Sequence, residues 1–267
     1  RVGEDVAEGE EVLPAGHLLR PQDLGGLLAL GITSVRVAAR PRVVLLATGD
    51  EVVPPEAETG PGQVRDINSY TIAALVTRAG GIPILSGIIR DNFDTLREAA
   101  ARALANTDAL ILSAGSSVSV RDMTAEVIDG LGRPGTLVHG VAVKPGKPTI
   151  LAMADGKPVF GLPGNPVSAM VIADLFVTPT LYRMQGCLRP PRRQSVWARL
   201  THNLASAPGR EDYIPARLVE REGELWAEPV FGKSNLIYTL VRADGLLTLP
   251  TDASGVSAGE RVEVRLF

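Results

Sequence analysis

The chain has 267 residues, 45% hydrophobic and 21% charged, so it can bury an ordinary core and reads as two or three domains rather than a disordered tail. Its 28 glycines and 20 prolines exceed average usage and favour many tight turns, which excludes a coiled coil or a helical bundle. With 27 basic and 30 acidic residues the net charge is −3 and no basic block stands out, so nucleic acid is not an expected partner.

A single cysteine, Cys187, excludes an internal disulfide, and His17, His139 and His202 are too scattered for a zinc pattern, which suits a reducing cytoplasm. No apolar run of about 18 residues stands out, so no membrane span is expected, and the charged start Arg1-Val2-Gly3-Glu4-Asp5 is unlike a secretion signal. Residues 1–37 are rich in Gly and acidic residues with only short apolar bursts, and read as the remnant of a domain that begins upstream.

From Pro41 onward the texture changes to apolar runs alternating with helical periodicity. Residues 43–46, 82–89, 109–112 and 159–162 are short runs bounded by Gly or Pro, the pattern of strands buried on both faces. Between them, Ile72, Leu75, Val76 and Ala79 define one helix, capped by Asn68 or Ser69 and ended by Gly80-Gly81. Leu96, Ala99, Ala100, Ala103 and Leu104 define a second, capped by Asp94 and closed by Asn106. Strand and helix alternating in this way predict an α/β domain with a mostly parallel sheet and a ligand site beyond the carboxyl ends of its strands.

Asp155-Gly156 between residues 149–153 and 157–160 is a hairpin signal and predicts an antiparallel ribbon inserted before the last strand. A final helix is expected over 167–184, then a linker at 188–193. Residues 196–200, 213–219, 225–229, 245–249 and 261–267 alternate in short segments with frequent turns, which suits a small C-terminal β-barrel. The expected division is therefore 1–37, an α/β domain over 38–187 and a barrel over 188–267.

Three loops after expected strands place small residues beside a carboxylate: Thr48-Gly49-Asp50-Glu51, the segment from Gly62 to Asn68, and the run from Ser113 to Asp122. Small residues let backbone N–H groups and hydroxyls reach a phosphate, and helix N-termini add partial positive charge. Asp50, Asp66 and Asp122 would repel that phosphate unless a divalent cation such as Mg²⁺ lay between them; each of the three is equally explained as a helix or turn cap.

In Lys144-Pro145-Gly146-Lys147-Pro148 two prolines stiffen the backbone between two lysines, whose ammonium groups suit an oxyanion; a solvated basic turn is the other reading. Gly161-Leu162-Pro163-Gly164-Asn165-Pro166 forms a rigid bend that structural need alone would also explain.

In order and spacing, Thr48-Gly49-Asp50-Glu51, Asp66-Ile67-Asn68-Ser69, Lys144-Pro145-Gly146-Lys147-Pro148 and Gly161-Leu162-Pro163-Gly164-Asn165-Pro166 closely resemble the signature segments of the molybdopterin molybdenumtransferase (MoeA) family, whose eukaryotic relative is the gephyrin E domain. The resemblance covers essentially the whole chain and implies a three-layer molybdopterin-binding α/β domain followed by the family's barrel. It further implies insertion of molybdenum from molybdate into adenylylated molybdopterin, with Mg-dependent hydrolysis of the phosphoanhydride and release of AMP. A cytoplasmic homodimer supplied by molybdopterin adenylyltransferase comes with it.

On that resemblance Asp66, Asp122, Lys144 and Lys147 are the catalytic positions, and Asp50, Asp66 and Asp122 hold the metal. Thr48, Gly49, Asp50, Asn68, Ser113, Gly115, Ser116, Ser117, Pro148, Gly164, Asn165 and Pro166 contact the pterin nucleotide. Arg210 and Ser234 of the barrel are expected to help bind the oxyanion, reaching the partner subunit's cleft, although Arg210 beside Glu211 and Asp212 equally reads as a surface ion pair. The chain departs from the family at Ala114-Gly115-Ser116-Ser117-Val118-Ser119, where two serines replace a valine and a glycine, which bears on molybdate against tungstate. A gephyrin-like scaffold and a nucleotide pyrophosphatase of the competence-damage type are the competing readings; the retained aspartates and lysines weigh against the first, and the Lys144–Pro148 segment and the barrel against the second.

Overall fold

The computed structural model describes residues 3–114 and 118–267, with the side chains of 118–121 outside that description. The first regular element is α1 (Pro21–Ala29). Its Asp23 accepts hydrogen bonds from the Arg20 guanidinium, His17 Nε2 and the Arg20 backbone N–H, contacts that hold this carboxyl well below the usual carboxylate range.

The α/β part runs β1 (Arg42–Thr48), β2 (Val52–Val53), β3 (Val64–Arg65), α2 (Asn68–Arg78), β4 (Ile82–Ile89), α3 (Phe93–Ala105), β5 (Ala109–Ser113), α4 (Val118–Asp129), β6 (Pro134–His139), β7 (Val143–Lys144), β8 (Ile150–Ala154), β9 (Lys157–Leu162), α5 (Pro166–Ile172) and α6 (Thr178–Met184). Six strands form one sheet in the order β4-β1-β5-β9-β8-β6, with β8 alone running against the others. Alternation along the strands separates two cores. Val43, Leu45 and Ile111 pack with Ile72 and Val76 of α2 and Ile172 of α5 on one face, and Val44, Leu46 and Leu110 pack with Leu96 of α3 and Ile128 of α4 on the other. This is the expected three-layer α/β class.

Three local expectations change. Asn92, not Asp94, caps α3 by accepting from Thr95 N. Asp66 Oδ1 accepts from Ser69 N at the start of α2, while Asn68 turns inward instead of capping. The Asp155-Gly156 ribbon is not inserted before the last strand: β9, its second arm, is itself the strand that pairs with β5. Asp155 and Gly156 both have positive φ, and Gly156 has open space around its Cα, so Gly156→Ala is expected to cost only about 1 kcal/mol in urea denaturation.

The segment Pro166–Met184 forms one 19-residue helix with mean hydropathy 1.2, long and apolar enough by composition to cross a bilayer, contrary to the sequence reading. Its Val167, Ala169, Val171, Ile172, Val177 and Leu181 lie in the core against α2 and the sheet, so burial in protein accounts for the apolar run. A π turn at Ala173–Val177 precedes Pro179, which brings no N–H to the helix ladder.

The C-terminal part contains β10 (Ser195–Leu200), β11 (Leu204–Ala205), β12 (Glu211–Arg221), β13 (Glu224–Pro229), α7 (Tyr238–Val241), β14 (Gly245–Leu249), β15 (Gly255–Val256) and β16 (Arg261–Leu266). The order β13-β10-β16-β14-β12 is closed by pairing of β12 with β13, making a five-stranded barrel around Leu200, Ala216, Ala227, Leu247 and Val264. One strand crosses between the two parts: β7 adds in parallel to β12, so that Lys144 lies opposite Asp212.

Candidate functional site

The carboxyl ends of β1, β5 and β9 release their chains along one edge of the sheet, and Asn68 ties the last two together. Its Nδ2 donates to Ser113 Oγ at 2.9 Å and to the Gly164 carbonyl at 2.8 Å, while its buried Oδ1 has no partner among the described residues. The rigid bend that follows β9 passes the connection on: Asn165 Nδ2 donates to Ser234 Oγ at 3.0 Å, and Val167 N to the Ser234 carbonyl, which joins the bend to the barrel. Pro166 is buried at the first turn of α5, where a missing N–H costs nothing.

The aspartates do not share this junction. Asp50 and Asp66 line a concavity beside β1 and β4, and Asp122, on α4, lines a small one against β8 and β9 with His139 and Pro148. The wall with Asp122 begins at Ala114, just past β5, and takes in Ile150 of β8 and Gly161 and Leu162 of β9, whereas the wall with Asp50 and Asp66 is built from the loop after β1 and from β4. Among the described residues no three His, Cys, Asp or Glu are grouped to hold a metal ion, so Asp50, Asp66 and Asp122 do not form a ready-made three-carboxylate cage. Gly115, Ser116 and Ser117 lie outside the described residues.

Beside β1, Thr48 is buried and its hydroxyl donates to Asp91 Oδ1 at 2.8 Å. Asp50 and Asp91 exchange backbone N–H to carboxylate contacts at 3.4 and 3.3 Å, with Gly49 at φ 148° making the turn. Asp91 was not among the expected residues. It follows β4 at the same sheet edge as Asp50 follows β1, so the rule that picked out the other loops points to it too.

A concavity of about 1440 Å³ lies between the sheet edge and the barrel. Lys144, Lys147, Pro148 and Asn165 line it from the α/β side, and Arg210, Lys233 and Ser234 from the barrel. Arg210 and Ser234 thus line a cleft of their own chain. The Arg210 pair is not a surface one either: Asp212, with its side chain 3% exposed, accepts from Arg210 Nε at 2.8 Å and lies 3.9 Å from Lys144 Nζ. Tyr213, in the same wall, donates to Glu211 at 2.7 Å, and burial, reinforced by Glu211, pushes its hydroxyl up to about 12, so it stays a neutral donor at neutral pH.

Sheet, bend and barrel together define an α/β ligand-binding protein whose main cleft is cationic and closed by a fused barrel. Residues 44–183 match the family described as "Probable molybdopterin binding domain", and residues 197–267 match "MoeA C-terminal region (domain IV)". The chain belongs to the MoeA family. It is 33% identical over 272 residues to a molybdopterin molybdenumtransferase of Haemophilus influenzae and 34% identical over 261 residues to one of Nostoc sp., covering 100% and 96% of this chain. It spans 66% and 60% of the lengths of those curated relatives. A crystal structure of a molybdopterin biosynthesis MoeA protein from Pyrococcus horikoshii matches with TM-score 0.82 and 35% identity, over 98% of this chain and 63% of that one. A molybdenum cofactor biosynthesis protein from Pyrococcus furiosus matches with TM-score 0.74 and 30% identity, over 99% and 82% respectively.

Proposed function

We propose that the chain acts in molybdenum cofactor biosynthesis as a molybdopterin molybdenumtransferase, taking adenylylated molybdopterin and molybdate and delivering molybdenum to the dithiolene as AMP leaves. The observation that carries this reading is the joint lining of one cleft by Lys144 and Lys147 from the α/β side and by Arg210 and Ser234 from the barrel. Three long cations around an open cleft suit a tetrahedral dianion, because each supplies charge-assisted donors without steric demands on its neighbours.

The orphaned Asn68 Oδ1, at the meeting of β5 and the bend after β9, is an acceptor left for a donor of the pterin nucleotide. Asp122, His139 and Pro148 form the adjoining wall, and Thr48, Gly49, Asp50, Asp66 and Asp91 a further one beside β1. Magnesium ordinarily takes one or two carboxylates and completes its shell with water and substrate phosphates, so Asp66 or Asp122 would hold it together with the nucleotide; among the described residues no three carboxylates group to cage it alone, and no step of the scheme passes through it. On this reading the protein works in the cytoplasm as a homodimer supplied by molybdopterin adenylyltransferase.

Lys147→Ala is expected to weaken molybdate binding by about ten-fold, the worth of one charge-assisted contact, and to leave AMP binding nearly unchanged. Calorimetric titration with each ligand tests this. Equal losses for both would remove the oxyanion role from the lysine pair.

A further inference from the structure

Resting on the oxyanion reading of the cleft, we propose that Asp212 is a positioning residue: its buried carboxylate sets the separation of Lys144 and Arg210 so that a single tetrahedral oxyanion bridges both.

The placement starts in the backbone. Glu211 N donates to the Ala142 carbonyl at 2.9 Å, and Asp212 lies opposite Lys144 where β7 pairs with β12. A two-residue parallel ladder thus seats the α/β part's lysine beside the barrel's carboxylate. That carboxylate is 3% exposed, and each oxygen meets a different cation: Oδ1 takes Arg210 Nε at 2.8 Å and Oδ2 faces Lys144 Nζ at 3.9 Å. A carboxylate this buried is tolerated when its charge is matched, and here the match comes from both sides of the cleft.

The two cations are themselves outward. Lys144 is 60% and Arg210 37% exposed at the side chain, so their stems are held while their polar heads remain open to the cleft. Among the described residues Arg210 is bonded through Nε alone, which leaves both terminal nitrogens of its fork for a ligand. Without an anion between them, two like charges on long side chains would separate and sample many rotamers, and a ligand would have to order both. Lys147 and Lys233 line the same cleft, and among the described residues neither has an ion-pair partner. Lys144 and Arg210 are the pair held in place.

Charge alone makes the opposite prediction, and this separates the two explanations. Removing Asp212's negative charge raises the cleft's positive potential, so a purely electrostatic cleft would bind an oxyanion more tightly without it. A positioning role requires weaker binding. The test is calorimetric titration of the whole chain with sodium molybdate, with a thermal melt of each variant as the check on folding.

Asp212→Asn keeps the size and the Oδ1 acceptor and is expected to bind molybdate about ten-fold more weakly. In an Arg210→Ala background the same substitution is expected to have little further effect, because with one of the two cations gone no separation between them is left to set. Equal or tighter binding by Asp212→Asn, or additive losses in the double variant, would overturn the proposal. If the asparagine variant fails to fold, Asp212→Glu keeps the charge and displaces both heads by one methylene; it is expected to bind at least three-fold more weakly, and affinity equal to wild type would overturn the proposal. A wild-type chain that does not bind molybdate would instead sink the oxyanion reading itself.

Discussion

Gly146→Ala is expected to lower the unfolding free energy by roughly 3 kcal/mol and to abolish tight molybdate binding, although it adds one methyl group and changes no charge. Gly146 sits between Lys144 and Lys147 at φ 128°, a conformation that side chains rarely adopt. An added Cβ would lie 2.5 Å from Cδ1 and Cγ1 of Ile172, which is fully buried on α5. Ile172 belongs to the core that includes Val76, Val143 and Leu246, so it has no space to withdraw into. The loop must therefore lift.

Lifting it breaks contacts that fix both lysines: Thr149 Oγ1 donates to the Gly146 carbonyl at 2.6 Å, and Val141 N donates to the Lys147 carbonyl at 3.0 Å. Urea denaturation with unchanged m-value would read the stability loss, and molybdate titration the loss of the site. A variant that melts and binds like wild type would show that the loop does not rest on Ile172.

The Lys-Pro-Gly-Lys-Pro motif was legible in the sequence as a stiff basic turn, but the reason for its glycine was not. Ile172 lies 26 positions away and meets the loop only through the packing of α5 on the sheet. The same division runs through the fold. The runs at 82–89 and 245–249 emerge as β4 and β14 with unchanged limits, because short stretches rich in Ile and Leu and bounded by turns carry their own signal. The strand β7 carries none, since two residues show no period, and it exists through pairing with β12, 68 positions on. Strand order is equally silent in local sequence: the loops bearing Asp50, Asp66 and Asp122 look alike, yet the first two line a concavity with β4 and the third one walled by β8, β9 and the residue after β5. Asp212 went unsuspected because, next to Arg210 in sequence, it read as an exposed ion pair; its burial follows from barrel closure and from β7.

Asn68→Asp is expected to be at least as damaging, about 3–5 kcal/mol at pH 7, and to differ from Asn68→Ala by depending on pH. The Gly164 carbonyl can only accept, so the Asn68 amide must present Nδ2 to it, and its other Nδ2 hydrogen goes to Ser113 Oγ. An aspartate offers no donor when ionised. The Ser113 hydroxyl can turn and donate to the new carboxylate, but the carbonyl of Gly164 then faces a negative charge in a position only 7% exposed. Burial and that carbonyl both favour the protonated form, so the carboxyl titrates at a higher pH in the folded chain than in the unfolded one. The sign follows from linkage: a group whose titration is raised on folding contributes most below its unfolded value, near 4, and loses that contribution as pH rises through its folded value. The stability gap between variant and wild type should therefore be widest at neutral pH and narrow as pH falls toward 4, where the protonated acid can again donate to Gly164. Asn68→Ala, which deletes both bonds without adding charge, should cost about 2 kcal/mol with a gap that stays level across the same range. Parallel pH profiles for the two variants in urea denaturation would contradict the assigned orientation of the amide, and with it the picture of Asn68 as the link between the ends of β5 and β9.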